Sequence, residues 1–232
     1  MRFQDAARDA RAVTYAAIQA DPLVARATDL LADASAAQRV MVRAVTNGES
    51  LDAAGWRTAF PSLFGSGDGG VGADSADATE RARSEALLDA SLAVAAKGEA
   101  ARGQFRGAIL EALAERLLAR RVPAANVHRE RRILFDGRPA EIHPYDVTVE
   151  RPGAAEAYDC KWGARGINPE VLLQLDAARD SAADEGERLT VALVVFDARR
   201  SCAVRLARLT GPTGKVGLVA LETLDRLGGA RS

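Results

Sequence analysis

The sequence predicts an α/β fold: a mixed sheet flanked by helices, preceded by a mostly helical N-terminal region. Three observations lead there. Up to about residue 121 the chain is alanine-rich with helical spacing of its apolar residues, and alanine is the strongest helix former. After Pro123 the pattern changes to short strands broken by turn residues. A helix-length segment opened by Asn168-Pro169 then separates those strands from a continuous apolar run at 189–196.

Residues 4–60 read as several short helices. Asp21-Pro22 is an N-cap followed by proline at the first helical position, Asn47-Gly48 is a stop, and Glu49 to Phe60 is a further helix ended by Pro61. The stretch from Gly65 to Asp74 has a linker's composition. Gly65, Gly67 and Gly70 match G-x-G-x-x-G, but a dinucleotide site needs a strand before that motif and a βαβ unit around it, and neither is expected here. The expected division is therefore a helical region at 1–64, a linker at 65–78 and a catalytic-type domain at 79–232.

From Thr79 to Arg121 the pattern is helical, with interruptions near Gly98 and Gly103, and Leu110, Leu113 and Leu117 form one stripe. Strands follow at Arg131–Phe135, closed by an Asp136-Gly137 turn, at Ile142–Val149 and at Ala157–Trp162. The helix after Asn168-Pro169 runs to about Ala183. Cys202–Leu209 alternates like a strand, and Val219–Leu227 reads as a closing helix.

Composition narrows the function classes. No run of about 18 apolar residues exists, so a membrane span is not expected. The polar start, Met1-Arg2-Phe3-Gln4-Asp5, lacks a signal peptide's apolar stretch, and the two cysteines fit no metal spacing; a reduced cytoplasmic protein is expected. The net charge is −1, yet from residue 101 onward Lys and Arg outnumber Asp and Glu by 21 to 18, while residues 1–100 reverse this at 10 to 14. That asymmetry mildly favours phosphate contact in the C-terminal part.

The chemistry concentrates around Pro152-Gly153. Residues two apart in a strand share a face, so Asp159 and Lys161 point the same way. A hairpin turning about Pro152-Gly153 places Asp146 opposite Asp159, and trans Pro-Gly favours a type II turn there. Two carboxylates about 5 Å apart repel by roughly 3 kcal/mol at an effective dielectric near 20. Lys161 offsets part of this, and a divalent cation would offset more; carboxylate oxygens suit Mg²⁺ or Mn²⁺. Hydrolysis of a phosphodiester wants that arrangement.

A helical Glu (Gly107-Ala108-Ile109-Leu110-Glu111), a strand Asp (Pro144-Tyr145-Asp146) and Asp159-Cys160-Lys161 on the next strand resemble the PD-(D/E)XK nuclease superfamily, which is restriction-endonuclease-like in fold. The resemblance covers about residues 103–227. It implies metal ligation by Asp146, Asp159 and the Cys160 carbonyl, with Glu111 ligating directly or through water. It further implies that Lys161 positions the attacking water or stabilises the transition state, and that Gln174 supports Lys161 or the phosphate. The implied activity is Mg²⁺- or Mn²⁺-dependent endonuclease-type cleavage of nucleic acid, DNA favoured over RNA. Two positions depart from the pattern: Tyr145 interrupts the Pro-Asp pair, and Ala178 stands where some members carry tyrosine.

Other residues carry weaker expectations. Arg120, Arg121, Arg129, Arg131 and Arg132 form either a phosphate-facing patch or a solvated cluster. Trp162 is core, with a base contact as the sharper alternative; His143 could assist the site; His128 and His143 are otherwise surface or satisfied histidines, and Cys160 is a buried apolar residue. The rival to a nuclease is a catalytically silent nuclease-fold module in a larger assembly. A third reading gives the N-terminal helices the main role, as a surface for a second copy or a partner protein.

Overall fold

The computed structural model describes residues 1–6, 10–65, 75–139, 143–209 and 216–229. Residues 66–74 of the expected 65–78 linker, and the expected strand start at Ile142, lie outside them, while residues 75–78 of that linker are the start of a helix, Ser75–Ala95. The chain forms two compact units: Met1–Thr14 with Leu110–Ser232, and Tyr15–Ile109. This division differs from the expected one, because the first residues belong to the sheet-bearing unit and the long helix after the Gly-rich stretch belongs to the helical one.

The helical unit is built on α2 (Pro22–Ala32), α3 (Ala36–Asn47), α4 (Ala53–Ala59), α5 (Pro61–Phe64) and α6 (Ser75–Ala95). The Asp21 side chain accepts from the Leu23 N–H, as the sequence predicts for an N-cap. Ser35 and Gln38 form a reciprocal capping box at the start of α3. Leu31, Met41, Val45, Leu87 and Leu88 are fully buried and form the core of this unit.

The second unit is organised by one sheet in the order β1-β2-β4-β5-β6-β7. The strands are β1 (Arg2–Asp5), β2 (Val127–Phe135), β4 (Tyr145–Arg151), β5 (Ala154–Lys161), β6 (Arg188–Val195) and β7 (Gly217–Ala220), with the two-residue β3 (Arg138–Pro139) paired to β2. From β1 to β5 neighbours are antiparallel, and β5, β6 and β7 are parallel. The sheet is thus mixed, as expected. Parallel neighbours need a crossover, and α8 (Pro169–Asp184) supplies it between β5 and β6. The Asn168 side chain caps α8 by accepting from the Val171 N–H at 2.9 Å.

Leu172, Leu175, Ala178 and Ala182 of α8 pack in one cluster with Ala155, Ala157, Leu189, Val191, Leu193 and Val195 of the sheet. α7 (Glu99–Leu118) runs unbroken through Gly103, where an interruption was expected, and its Leu110, Leu113 and Leu117 stripe is buried. Both tight turns have the backbone their residues favour. Asp136 and Gly137 take φ of 48° and 76°, the signs a type I′ turn needs, and Gly153 takes 68°, as a type II turn requires.

Two expectations are corrected. Cys202–Leu209 is not a strand: Arg199–Ala207 is a helix, α9, with only Cys202 buried on it. Alternation over eight residues rich in Ala, Leu and Arg is outweighed by their helix propensity and by β7 taking the place beside β6. The closing segment is split, with β7 followed by a 3₁₀ helix at Leu221–Gly228. Among the described residues no helix is long and apolar enough to cross a membrane.

Candidate functional site

The β4–β5 hairpin sets the site. Arg151 pairs with Ala154 across Pro152-Gly153, and the ladder continues to Val147 opposite Tyr158. One step further along this register Asp146 stands level with Asp159. There the Asp146 carboxylate bonds directly to β5: its Oδ2 accepts from the Cys160 backbone N–H at 2.6 Å.

Asp159 and Lys161 share a face of β5, and Lys161 Nζ lies 2.5 Å from Asp159 Oδ1. The Lys161 stem is closely fitted. A Cβ placed on Gly166 would come within 3.0 Å of Lys161 Cβ and Cδ, so a glycine at that turn makes room for it. Glu111, on α7, is 7% exposed.

The electrostatics separate these groups from ordinary surface charges. The Asp146 carboxyl is pushed well above the usual carboxylate range, first by burial, then by the charges of Asp159 and Glu111; Lys161 and the Cys160 N–H oppose the shift. Asp159 is also raised by burial, against the opposing pull of Lys161 and His143. Burial would lower Lys161, yet Asp159 and Asp146 outweigh it and hold the ammonium above its ordinary value. The Cys160 thiol is raised by burial and by the three surrounding carboxylates, which suits an inert buried cysteine and not a nucleophile. Negative charge is in surplus here.

The structure therefore brings Asp146, Asp159, Lys161 and Glu111 within mutual electrostatic reach, with His143 beside Asp159. Oxygen donors of this kind suit a hard divalent cation, and the raised carboxyls mark charge that such a cation would neutralise. As they stand, the donors are engaged elsewhere, Asp159 by Lys161 and Asp146 by the Cys160 N–H. Among the described residues no group of three or more His, Cys, Asp or Glu is in metal-holding geometry. Gln174 Nε2 donates to the His143 carbonyl at 2.9 Å, bracing the segment that enters β4.

The arginines read as either a phosphate-facing patch or a solvated cluster have partners within the protein. Arg129 Nε donates to Glu115 at 2.6 Å and Arg131 Nε to Glu150 at 2.8 Å, with Asp5 as a second partner of Arg131. Arg120 and Arg132 also have partners. Arg121 belongs to a buried network: it binds Glu156, donates to the Tyr158 hydroxyl at 3.0 Å and to the Leu227 carbonyl at 2.8 Å. Trp162, half-buried, stacks on the buried Phe196 with ring centroids 4.4 Å apart.

Two supporting residues escaped the sequence reading. Asp197 is buried, accepts from the Ala164 N–H at 3.0 Å and the Ala198 N–H at 2.7 Å, and so fixes the turn after β5. Gly166 is the other. The only signal for either was their place just beyond a strand end.

No protein-family model and no curated protein matches the chain. Among solved structures it is similar to protein VC1899 from Vibrio cholerae, at 16% identity and a TM-score of 0.48. The alignment covers 98% of this chain and 57% of that one, so the chain spans little more than half the length of that neighbour.

Proposed function

We propose that the chain is a metal-dependent nuclease of PD-(D/E)XK type that hydrolyses phosphodiester bonds, DNA being favoured over RNA. The observation that carries this reading is the crowding of negative charge at half-buried Asp146, whose carboxyl is raised by burial and by the charges of Asp159 and Glu111, with Lys161 and the Cys160 N–H only partly offsetting them. Folding keeps like charges together at a cost, and a cation belonging among them supplies the reason. Asp146, Asp159, Glu111 and the Cys160 carbonyl would hold Mg²⁺ or Mn²⁺, which when bound neutralises phosphate charge and lowers the pKa of a water. Lys161 is kept protonated by its aspartates, so its task is to orient the attacking water or to stabilise charge on the phosphate, and not to remove a proton. Gln174 and Asp197 position the segments that carry these groups.

One observation favours a second reading. The Lys161–Asp159 pair occupies a carboxylate that a metal would need, as a silent nuclease-fold module would leave it. Cleavage of DNA and RNA by wild type, Asp146→Ala and Lys161→Ala in Mg²⁺ and Mn²⁺ separates the two. The nuclease reading expects cleavage by wild type alone. Equal cleavage by all three would remove these residues from the chemistry, and no cleavage by any would favour the module.

A further inference from the structure

A second cluster of charge lies just past the end of β5. The 3₁₀ turn at Ala164–Gly166 and one face of α9 enclose a cleft of about 460 Å³, lined by Ala164, Arg165, Arg200, Val204, Arg205 and Arg208, with Ser201 at its edge. Four of its lining residues are arginines and none is acidic. Among the described residues no carboxylate forms an ion pair with any of the four. The contrast with Arg121, Arg129 and Arg131 is direct, since each of those is held by a glutamate.

Helix energetics account for only part of this cluster. Arg205 and Arg208 sit at the C-terminal end of α9, where a cation is favourable. Arg200 sits in its first turn, where a cation is unfavourable, and Arg165 is exposed on the facing turn. Arg205 is also fixed, its Nε donating to the Ile167 carbonyl at 2.8 Å. Val204, 45% exposed, gives the cleft an apolar patch among the guanidinium groups.

The cleft adjoins the carboxylate–lysine site. A Cβ on Gly166 would come within 3.0 Å of the Lys161 stem, and Arg165 is four residues on from Lys161, so their Cα atoms lie at most about 14 Å apart. That distance is about four nucleotide steps of a stacked strand.

We propose that this four-arginine cleft is the principal binding site for the sugar–phosphate backbone of a nucleic acid, gripping the strand a few nucleotides from the phosphate presented to Lys161. The inference rests on the nuclease reading for its substrate class, but binding is measurable without cleavage. Arginine pairs with phosphate through forked, charge-assisted hydrogen bonds, and each such contact makes affinity salt-dependent.

The test is anisotropy of labelled single-stranded DNA, duplex DNA and RNA with the full chain in EDTA, over a salt series. The variants are Arg165→Ala/Arg200→Ala/Arg208→Ala, its Lys counterpart and a matched-charge control (Arg26→Ala/Arg188→Ala/Arg226→Ala), each checked for unchanged thermal unfolding. For at least one of the three ligands, the cleft variant should bind tenfold or more weakly, with the salt slope reduced by about 2, at roughly 0.7 per lost contact on a single strand. The Lys variant should retain most of the binding, and the control should bind as wild type does. Equal losses in the cleft variant and the control would overturn the cleft as a site, as would wild-type binding left intact by the cleft variant or no binding at all. Binding that follows this pattern without cleavage in Mn²⁺ would uphold the cleft while the nuclease reading alone fails.

Discussion

The strand β5 carries two buried acidic clusters that fold to opposite electrical outcomes. At Glu156 the charge is closed. Arg121 forks onto the carboxylate, Arg151 donates to its Oε1 at 2.7 Å, and the Tyr158 hydroxyl completes the set. Burial alone would raise Glu156, but these donors hold it below the usual glutamate range, while Tyr158 is pushed up by burial and by Glu156. Three residues on, around Asp159, the charge is open: the carboxyls of Asp146 and Asp159 stay raised although Lys161 pulls both down.

The largest effect should fall on the open cluster's chemistry. Lys161→Ala should reduce cleavage by roughly 10²–10³, the range for losing one preorganised electrostatic group. Cleavage unchanged in a gel assay would put Lys161 outside the reaction. Next comes the closed cluster. Glu156→Gln leaves the Arg121 guanidinium without its carboxylate, and with Arg121 and Arg151 partly solvated the loss should be about 2–4 kcal/mol in urea unfolding. Metal response should survive that change. A variant as stable as wild type would erase the distinction between the clusters.

A smaller effect, of opposite sign, is expected at Asp146. Because its folded pKa lies above the unfolded value, the native state binds the extra proton, and stability is lost as pH rises through the folded pKa. Asp146→Asn should therefore raise the metal-free unfolding temperature at neutral pH by a few degrees, about 2–4 °C per kcal/mol, and the gain should shrink as the pH is lowered below that pKa. A destabilised variant at neutral pH would mean that the bond to the Cys160 N–H outweighs the repulsion. The smallest effect belongs to Gly166→Ala, whose new methyl would press on the Lys161 stem at 3.0 Å. Cleavage should fall about tenfold, with a stability change under about 1 kcal/mol.

The two clusters also differ in how far they could be read from sequence. The open one is local: a Pro-Gly turn fixes the register that levels Asp146 with Asp159, and alternation puts Lys161 beside Asp159. The expectation for Glu111 comes from the family resemblance, since an exposed glutamate is the default on a helix. The closed cluster depends on Arg121 meeting a strand 35 residues later, which no local pattern encodes. The same holds for β1, four residues made into a strand only by pairing with β2. In α9 an alternating pattern misled, because its arginines line a cleft and do not mark the outer face of a strand. Whether an arginine is spoken for, as at Arg129, or left open, as at Arg200, is a tertiary property.

The most direct measurement of the open cluster is the unfolding temperature with and without Mn²⁺, for wild type, Asp146→Asn and Glu156→Gln. Mn²⁺ at about 100 times its dissociation constant should stabilise wild type by about 2.7 kcal/mol. Glu156→Gln should show the same rise from a lower starting point, and Asp146→Asn should show none. A wild type indifferent to Mn²⁺, or an equal rise in Asp146→Asn, would contradict the claim that the surplus charge around Asp146 and Asp159 awaits a cation.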